Sequence, residues 1–167
     1  MSRSIVIIGG TGEGKSTKAL ELIKQLNEGK CIVYDYRGEK QYQHLSTDLN
    51  TDKCRFTGKP EVFLKVVAKK VETTVLFEEA TIFFKGQMGE DVRDLLVSKR
   101  HKKQVIIFLF HTINSVPPFI LDMADYFFLK KTGDDEGRVR RKASKLLPYF
   151  LRLQRMPKYS TLMIKNF

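Results

Sequence analysis

One stretch, Gly9 to Ser16, restricts what this chain can fold into more than any other. It reads Gly-Gly-Thr-Gly-Glu-Gly-Lys-Ser, between the apolar run Ile5-Val6-Ile7-Ile8 and the helical pattern Lys18-Ala19-Leu20-Glu21-Leu22-Ile23. The spacing G-x-x-x-x-G-K-[ST] is that of a phosphate-binding loop, and it stands in the strand–loop–helix setting such a loop requires. Glycines let backbone N–H groups curl around a polyphosphate, and the following helix N-terminus adds partial positive charge. On this reading Gly9, Gly10, Thr11, Gly12, Glu13, Gly14, Lys15, Ser16 and Thr17 surround the phosphates of ATP. Lys15 reaches the β- and γ-phosphates and Ser16 holds Mg²⁺.

Downstream, strand and helix signals alternate, which predicts an α/β fold with a mostly parallel sheet. Strands are expected at Ser4–Ile8, Cys31–Asp35, Cys54–Phe56, Thr73–Phe77, Gln104–Phe110 and Asp125–Lys130, with an edge strand within Ser160–Ile164. Helices are expected at Lys15–Asn27, from Pro60 to about Lys70, at Glu90–Lys102, and from Pro117 to about Met123. Tyr36–Asp52 reads as a loop with a short helix, and Thr81–Gly89 as a loop because Gly86 and Gly89 act as breakers. Arg138–Leu153 reads as a basic helix, or two short ones broken at Pro148. With no repeat or linker, the 167 residues suit one domain, 1–167, carrying a basic C-terminal segment, 130–167.

Binding a triphosphate needs the loop; hydrolysing it needs a second acidic cluster. Thr74-Val75-Leu76-Phe77-Glu78-Glu79 has that form, an apolar strand ending in two carboxylates. In such a fold this strand is expected beside the first one, with its tip facing the γ-phosphate. Glu78 would hold Mg²⁺ through its water shell, and Glu79 would position and polarise the attacking water. The strand Val105–Phe110 ends at His111-Thr112, where a polar residue can sense the γ-phosphate. The basic cluster Lys99-Arg100-His101-Lys102-Lys103 suits the dipole at a helix C-terminus. Alternatively, Arg93 or Arg100 reaches a neighbouring subunit's nucleotide as an arginine finger.

The formal charge of +11 is uneven. Residues 130–167 hold eleven Lys or Arg against three acidic residues, a net of +8. Such a concentration fits a polyanion, nucleic acid first and an acidic membrane surface second. Arg138, Arg140, Arg141, Lys142 and Lys145 would contact DNA phosphates without reading sequence. The cysteines Cys31 and Cys54 make no disulfide framework and fit a reducing compartment, cytoplasmic or virion-associated. The longest apolar run is the six residues Val105–Phe110, so membrane association is expected only through a partner.

Taken in order, the phosphate loop, Tyr34-Asp35-Tyr36-Arg37-Gly38-Glu39, Glu78-Glu79, Lys99-Arg100-His101 and Phe108-Leu109-Phe110-His111-Thr112-Ile113-Asn114-Ser115-Val116 resemble the FtsK–HerA group of DNA-pumping ATPases. Within that group the chain is similar to the small viral genome-packaging ATPases and the Zot-like assembly ATPases of filamentous phages. The likeness spans roughly Ser4 to Leu129; His111-Thr112 stands where the group has Thr-Gln, and Glu78 where it has Asp. The resemblance implies a three-layer α/β/α, RecA- or FtsK-like phosphate-loop fold. It also implies an ATP–Mg²⁺-driven motor for packaging or extruding DNA, a homo-oligomeric ring, and a capsid or membrane assembly protein as a partner. The alternatives are a small nucleotide or metabolite kinase, with Gly137-Arg138-Val139-Arg140-Arg141 as a lid, and a nucleotide-gated assembly protein with little turnover.

Overall fold

The computed structural model describes residues 1–166. In chain order the elements are β1 (Arg3–Ile8), α1 (Lys15–Gln25), β2 (Cys31–Tyr34), β3 (Lys53–Phe56), α2 (Pro60–Val67), β4 (Thr74–Phe77), α3 (Gln87–Ser98), β5 (Val105–Phe110), α4 (Pro118–Met123), β6 (Tyr126–Leu129), α5 (Glu136–Lys142), α6 (Leu147–Gln154) and β7 (Leu162–Lys165). The strands form one sheet in the order β3-β2-β4-β5-β1-β6-β7, parallel throughout except for β7, which runs antiparallel to β6. The expected α/β/α architecture with a mostly parallel sheet is what the chain adopts.

Burial on both faces explains the continuous apolar strands. Val6 and Ile8 of β1 face one layer, with Val75, Phe77, Phe108 and Phe110. That layer is covered by α2, α3, α4, α5 and α6 through residues such as Phe63, Leu95, Ile120, Val139 and Phe150. Ile5 and Ile7 face the other layer, closed by Ala19 and Ile23 of α1 and by Tyr42 and Leu45. The first layer is rich in aromatics. Phe77 meets Phe63, Phe83 and Phe108 at centroid separations of 5.3, 4.7 and 4.8 Å, the spacing of edge-to-face and offset pairs.

Three expectations are corrected. The strand carrying Glu78-Glu79 is not beside the first strand: β5, buried on both faces, lies between β4 and β1. Residues 81–89 are not a loop. Ala80–Phe84 forms a 3₁₀ turn that buries Phe83, and α3 begins at Gln87, after Gly86 has reversed the chain at φ +56°. The apolar packing of this turn outweighs the glycine signal. The C-terminal helical stretch breaks at Ala143 (φ −142°, ψ 56°), not at Pro148, which sits in the first turn of α6. There its missing N–H costs nothing.

At the end of the sheet where β1 begins, Lys99 is buried. Its Nζ donates to Ser4 Oγ at 3.0 Å and pairs with Asp125 Oδ2 at 3.2 Å. Asp125 Oδ2 also accepts from the Ser4 backbone N–H at 2.7 Å. One cation thus joins the turn after α3 to the starts of β1 and β6. Among the described residues no helix is long and apolar enough to cross a membrane.

Candidate active site

The loop after β1 leaves the sheet between its two neighbouring strands. Gly9 N–H donates to Phe110 O at 3.0 Å and Gly10 N–H to Lys131 O at 2.8 Å. A Cβ on Gly9 would lie 2.9 Å from Lys130 Cβ, an atom fixed to the backbone, so glycine is required for this close approach. Gly14, at φ +80°, turns the chain into α1 from the left-handed region. Lys15 and Ser16 then open α1, and the free N–H groups of its first turn face the loop.

Lys15 is buried; its Nζ donates to Gly10 O at 3.0 Å and lies 3.3 Å from His111 Nδ1. Burial holds its pKa below the usual lysine value, opposed by the negative charge of Glu78 and Glu79. An ammonium only donates, so His111 Nδ1 accepts and the imidazole proton sits on Nε2. Nε2 faces Glu79 Oε2 at 3.9 Å. Burial and the Lys15 charge lower the His111 pKa, which keeps the ring neutral near pH 7.

Ser16 Oγ donates to Glu78 Oε1 at 2.7 Å, although 62 residues separate them. The Tyr42 hydroxyl donates to Glu78 Oε2. Burial raises the Glu78 pKa, while the bonds from Tyr42 and Ser16 favour its ionised form. Burial and the Glu78 charge push the Tyr42 phenol far up, so it remains a donor. Glu79 Oε1 lies 3.6 Å from Arg37 Nε. Arg37 reaches the cleft, and the buried Tyr42 reaches Glu78 behind it, because Asp35, fully buried at the tip of β2, folds the segment back. It accepts from Glu39 N–H at 2.8 Å and pairs with Arg55 at 3.3 Å. Together these groups line a cleft of about 380 Å³, with the phosphate loop on one wall, Arg37, Glu39 and Gln41 on another, and Glu78, Glu79 and His111 at the back.

The other sequence candidates lie apart. Thr112 Oγ1 accepts from Ser115 N–H at 3.1 Å and so caps its own turn. Arg100 is exposed, next to the Lys99 cluster and therefore at the opposite end of β1, about 20 Å from the loop by strand rise. Arg93 rests over Phe119 at 4.8 Å. On the C-terminal segment Arg140 pairs with Glu136 at 2.9 Å. Lys142 Nζ donates to Asn114 O, and Lys145 Nζ donates to Leu121 O at 2.6 Å and Asn166 Oδ1 at 2.9 Å. Arg138 and Arg141 are exposed on α5. Sequence alone gives neither Arg37 nor Tyr42 a role. Arg37 lies in the motif order without a function, and Tyr42 gives no signal beyond a lone aromatic in a polar stretch.

Ser16 and Glu78 present adjacent oxygens, a donor set that suits a hard cation completed by phosphate oxygens and water. Among the described residues no group of three or more His, Cys, Asp or Glu could hold a metal by itself. Ser16 and Glu78 alone would leave most positions around such a cation to ligands from outside the chain. Both glycines of the loop that flank Glu13 are left-handed, φ +76° at Gly12 and +80° at Gly14, and Lys15 lies beneath the loop. This is the geometry of backbone donors wrapped around an anion.

The same fold occurs in solved structures. The genome packaging NTPase B204 from Sulfolobus turreted icosahedral virus 2 superimposes with a TM-score of 0.79 at 15% identity, over 98% of this chain and 91% of that one. This is a phosphate-loop NTPase fold. B204, the DNA-packaging ATPase from Sulfolobus Turreted Icosahedral Virus, gives 0.78 at 16% identity, over 98% and 92%. EssC (ATPases 2 and 3) from Geobacillus thermodenitrificans gives 0.65 at 13% identity, over 98% of this chain and 38% of that one. No family model matches the chain, and no curated relative does.

The Tyr42–Glu78 bond in this NTPase fold leads to a pH prediction. A divalent cation would need the ionised carboxylate, and burial raises the folded Glu78 pKa, so if Glu78 holds Mg²⁺, Mg²⁺-dependent ATP binding should be lost as pH falls through that pKa. Tyr42→Phe keeps the buried ring but removes a donor to the ionised form, raising the Glu78 pKa further. The midpoint of Mg²⁺-dependent ATP binding moves up by about one pH unit, the worth of a hydrogen bond to a charged group. Titrating ATP affinity against pH at fixed Mg²⁺ checks this; an unmoved midpoint removes Tyr42 from the site.

Proposed function

We propose that the chain is an ATP-hydrolysing motor that moves DNA, of the FtsK–HerA kind, acting in packaging or extruding a viral genome. The observation that supports this best is His111, which touches both Lys15, on the binding side, and Glu79, on the hydrolytic side. Lys15 and the loop N–H groups neutralise the triphosphate and hold it. Glu79 takes a proton from water as the water oxygen bonds to the γ-phosphorus and the bond to the leaving ADP oxygen breaks. Arg37 and His111 flank the Glu79 carboxylate at 3.6 and 3.9 Å. When bound, Mg²⁺ supplies charge neutralisation of the β- and γ-phosphate oxygens, and Ser16 and Glu78 are the residues that hold it.

The likeness to genome-packaging NTPases supports the motor reading over a kinase. DNA as partner, a homo-oligomeric ring in which Arg100 or Arg93 serves the neighbouring nucleotide, a capsid or membrane assembly protein and a cytoplasmic or virion location belong to this proposal. Free phosphate release, measured with and without single- and double-stranded DNA, tests it. DNA-stimulated release is expected. Transfer of phosphate to a small acceptor with no free phosphate would sink the motor reading. Arg138→Gln with Arg141→Gln should flatten the slope of log affinity against log salt by about 0.9 per lost phosphate contact on duplex DNA. An unchanged slope moves the DNA surface away from α5.

A further inference from the structure

The cleft has a polarity set by the sheet order. Glu78, Glu79, Arg37 and His111 belong to the tips of β4, β2 and β5, all on one side of β1. A triphosphate whose γ end meets these groups must leave the loop on the other side of β1, toward β6 and β7. On that side Tyr159 stands against the loop. Tyr159 Cδ1 lies 3.7 Å from the Cβ position of Gly14, although 145 residues separate them.

The Tyr159 backbone is held from two directions. Its N–H donates to Glu13 Oε2 at 3.2 Å, and its carbonyl accepts from Lys130 Nζ at 3.3 Å. Lys130 is itself buried and also donates to Thr161 Oγ1 at 2.7 Å. Tyr159 sits at φ +67°, in the left-handed region that non-glycine residues seldom adopt. Such conformations persist where surrounding contacts impose them. Despite this fixing, the residue is 60% exposed. Lys158 Nζ stands over one face of the ring, 5.0 Å from its centroid, on a long exposed side chain that a stacking base would displace or share the ring with. A strained, tethered backbone presenting an open aromatic ring at the exit of a phosphate loop is a built surface, whereas a core tyrosine would bury its ring.

We infer that Tyr159 is the base-side platform of the nucleotide site, on which the nucleobase of the bound triphosphate stacks. The inference rests on reading Gly9–Thr17 as a triphosphate site and deepens it by naming the group that meets the base. Stacking uses the π face that every base has, so the platform contributes affinity with little discrimination among bases. The hydroxyl is not needed for this, and Phe should substitute.

Equilibrium binding of ATP and of inorganic tripolyphosphate, both with Mg²⁺, separates the base from the phosphates. Tyr159→Ala should weaken ATP binding by about tenfold, on the scale of base–aromatic stacking, and leave tripolyphosphate affinity unchanged. Tyr159→Phe should keep wild-type affinity for both ligands. GTP should lose affinity in Tyr159→Ala as ATP does. Equal losses of ATP and tripolyphosphate would reduce Tyr159 to a support for the loop, and no loss of either would remove it from the site; each outcome overturns the platform. Tripolyphosphate binding also reports that the variant is folded. Failure of the wild-type chain to bind either ligand would instead overturn the triphosphate site itself, and the platform with it.

Discussion

Lys15→Ala abolishes tight triphosphate binding while leaving the fold intact. The ammonium is the buried cation beneath the loop, and it faces two carboxylates, Glu78 and Glu79. Without it, an anionic ligand meets net negative charge. Truncating one partner of a buried, hydrogen-bonded charge pair costs about 2–5 kcal/mol, a roughly 30-fold to several-thousand-fold rise in Kd. Stability should move the other way. A lysine whose folded pKa lies below its unfolded value opposes folding at every pH below the folded pKa, because the charged form is the poorer one in the folded state. Removing it relieves that cost, so the thermal midpoint does not fall. Calorimetric titration with Mg–ATP and thermal unfolding of the same sample check the two halves. Tight ATP binding by Lys15→Ala would overturn the phosphate-loop assignment.

Glu79→Gln should separate binding from turnover. Glu79 touches Arg37 and His111 but makes no bond to Lys15 or to the loop. The amide keeps the shape and loses the proton acceptor. Steady-state hydrolysis should fall by about 10²- to 10⁴-fold, the usual contribution of a general base. ATP affinity should hold or rise, since one negative charge near the γ-phosphate is gone. Single-turnover hydrolysis together with nucleotide affinity is the measurement. Unchanged hydrolysis would transfer the base role to another group.

How much of this was legible in the sequence varies from residue to residue, for physical reasons. Gly9–Ser16 is a contiguous motif whose shape is set by the backbone, so its spacing alone is enough to propose a phosphate loop there. The nearness of Glu78 to Ser16 followed from a strand ending in acids, even though β5 intervenes, because parallel strands end on a common edge. Tyr42 was hidden. It lies in a polar segment with no period, and its place depends on Asp35 bending the chain through a buried pair with Arg55. Tyr159 was hidden more deeply, because its bonds to Glu13 and Lys130 depend on β7 adding antiparallel to β6, a register that one edge-strand signal does not fix. The start of α3 is masked in the sequence by Gly86 and Gly89, which signal a loop, whereas the burial of Phe83 within Ala80–Phe84 sets the local structure.

The Lys99 junction limits where the acidic strand's own loop can move. It pins the far end of α3 to the starts of β1 and β6, and withdrawing one member of such a pair leaves a charge stranded in the interior. A rod fixed at one end can pivot but cannot slide along its axis. Displacement at Glu79 therefore has to be absorbed within Ala80–Gly86, between the carboxylate and the head of the rod. With Val92, Leu95 and Leu96 also seated in the core, what freedom α3 has is greatest near Gln87 and least near Ser98.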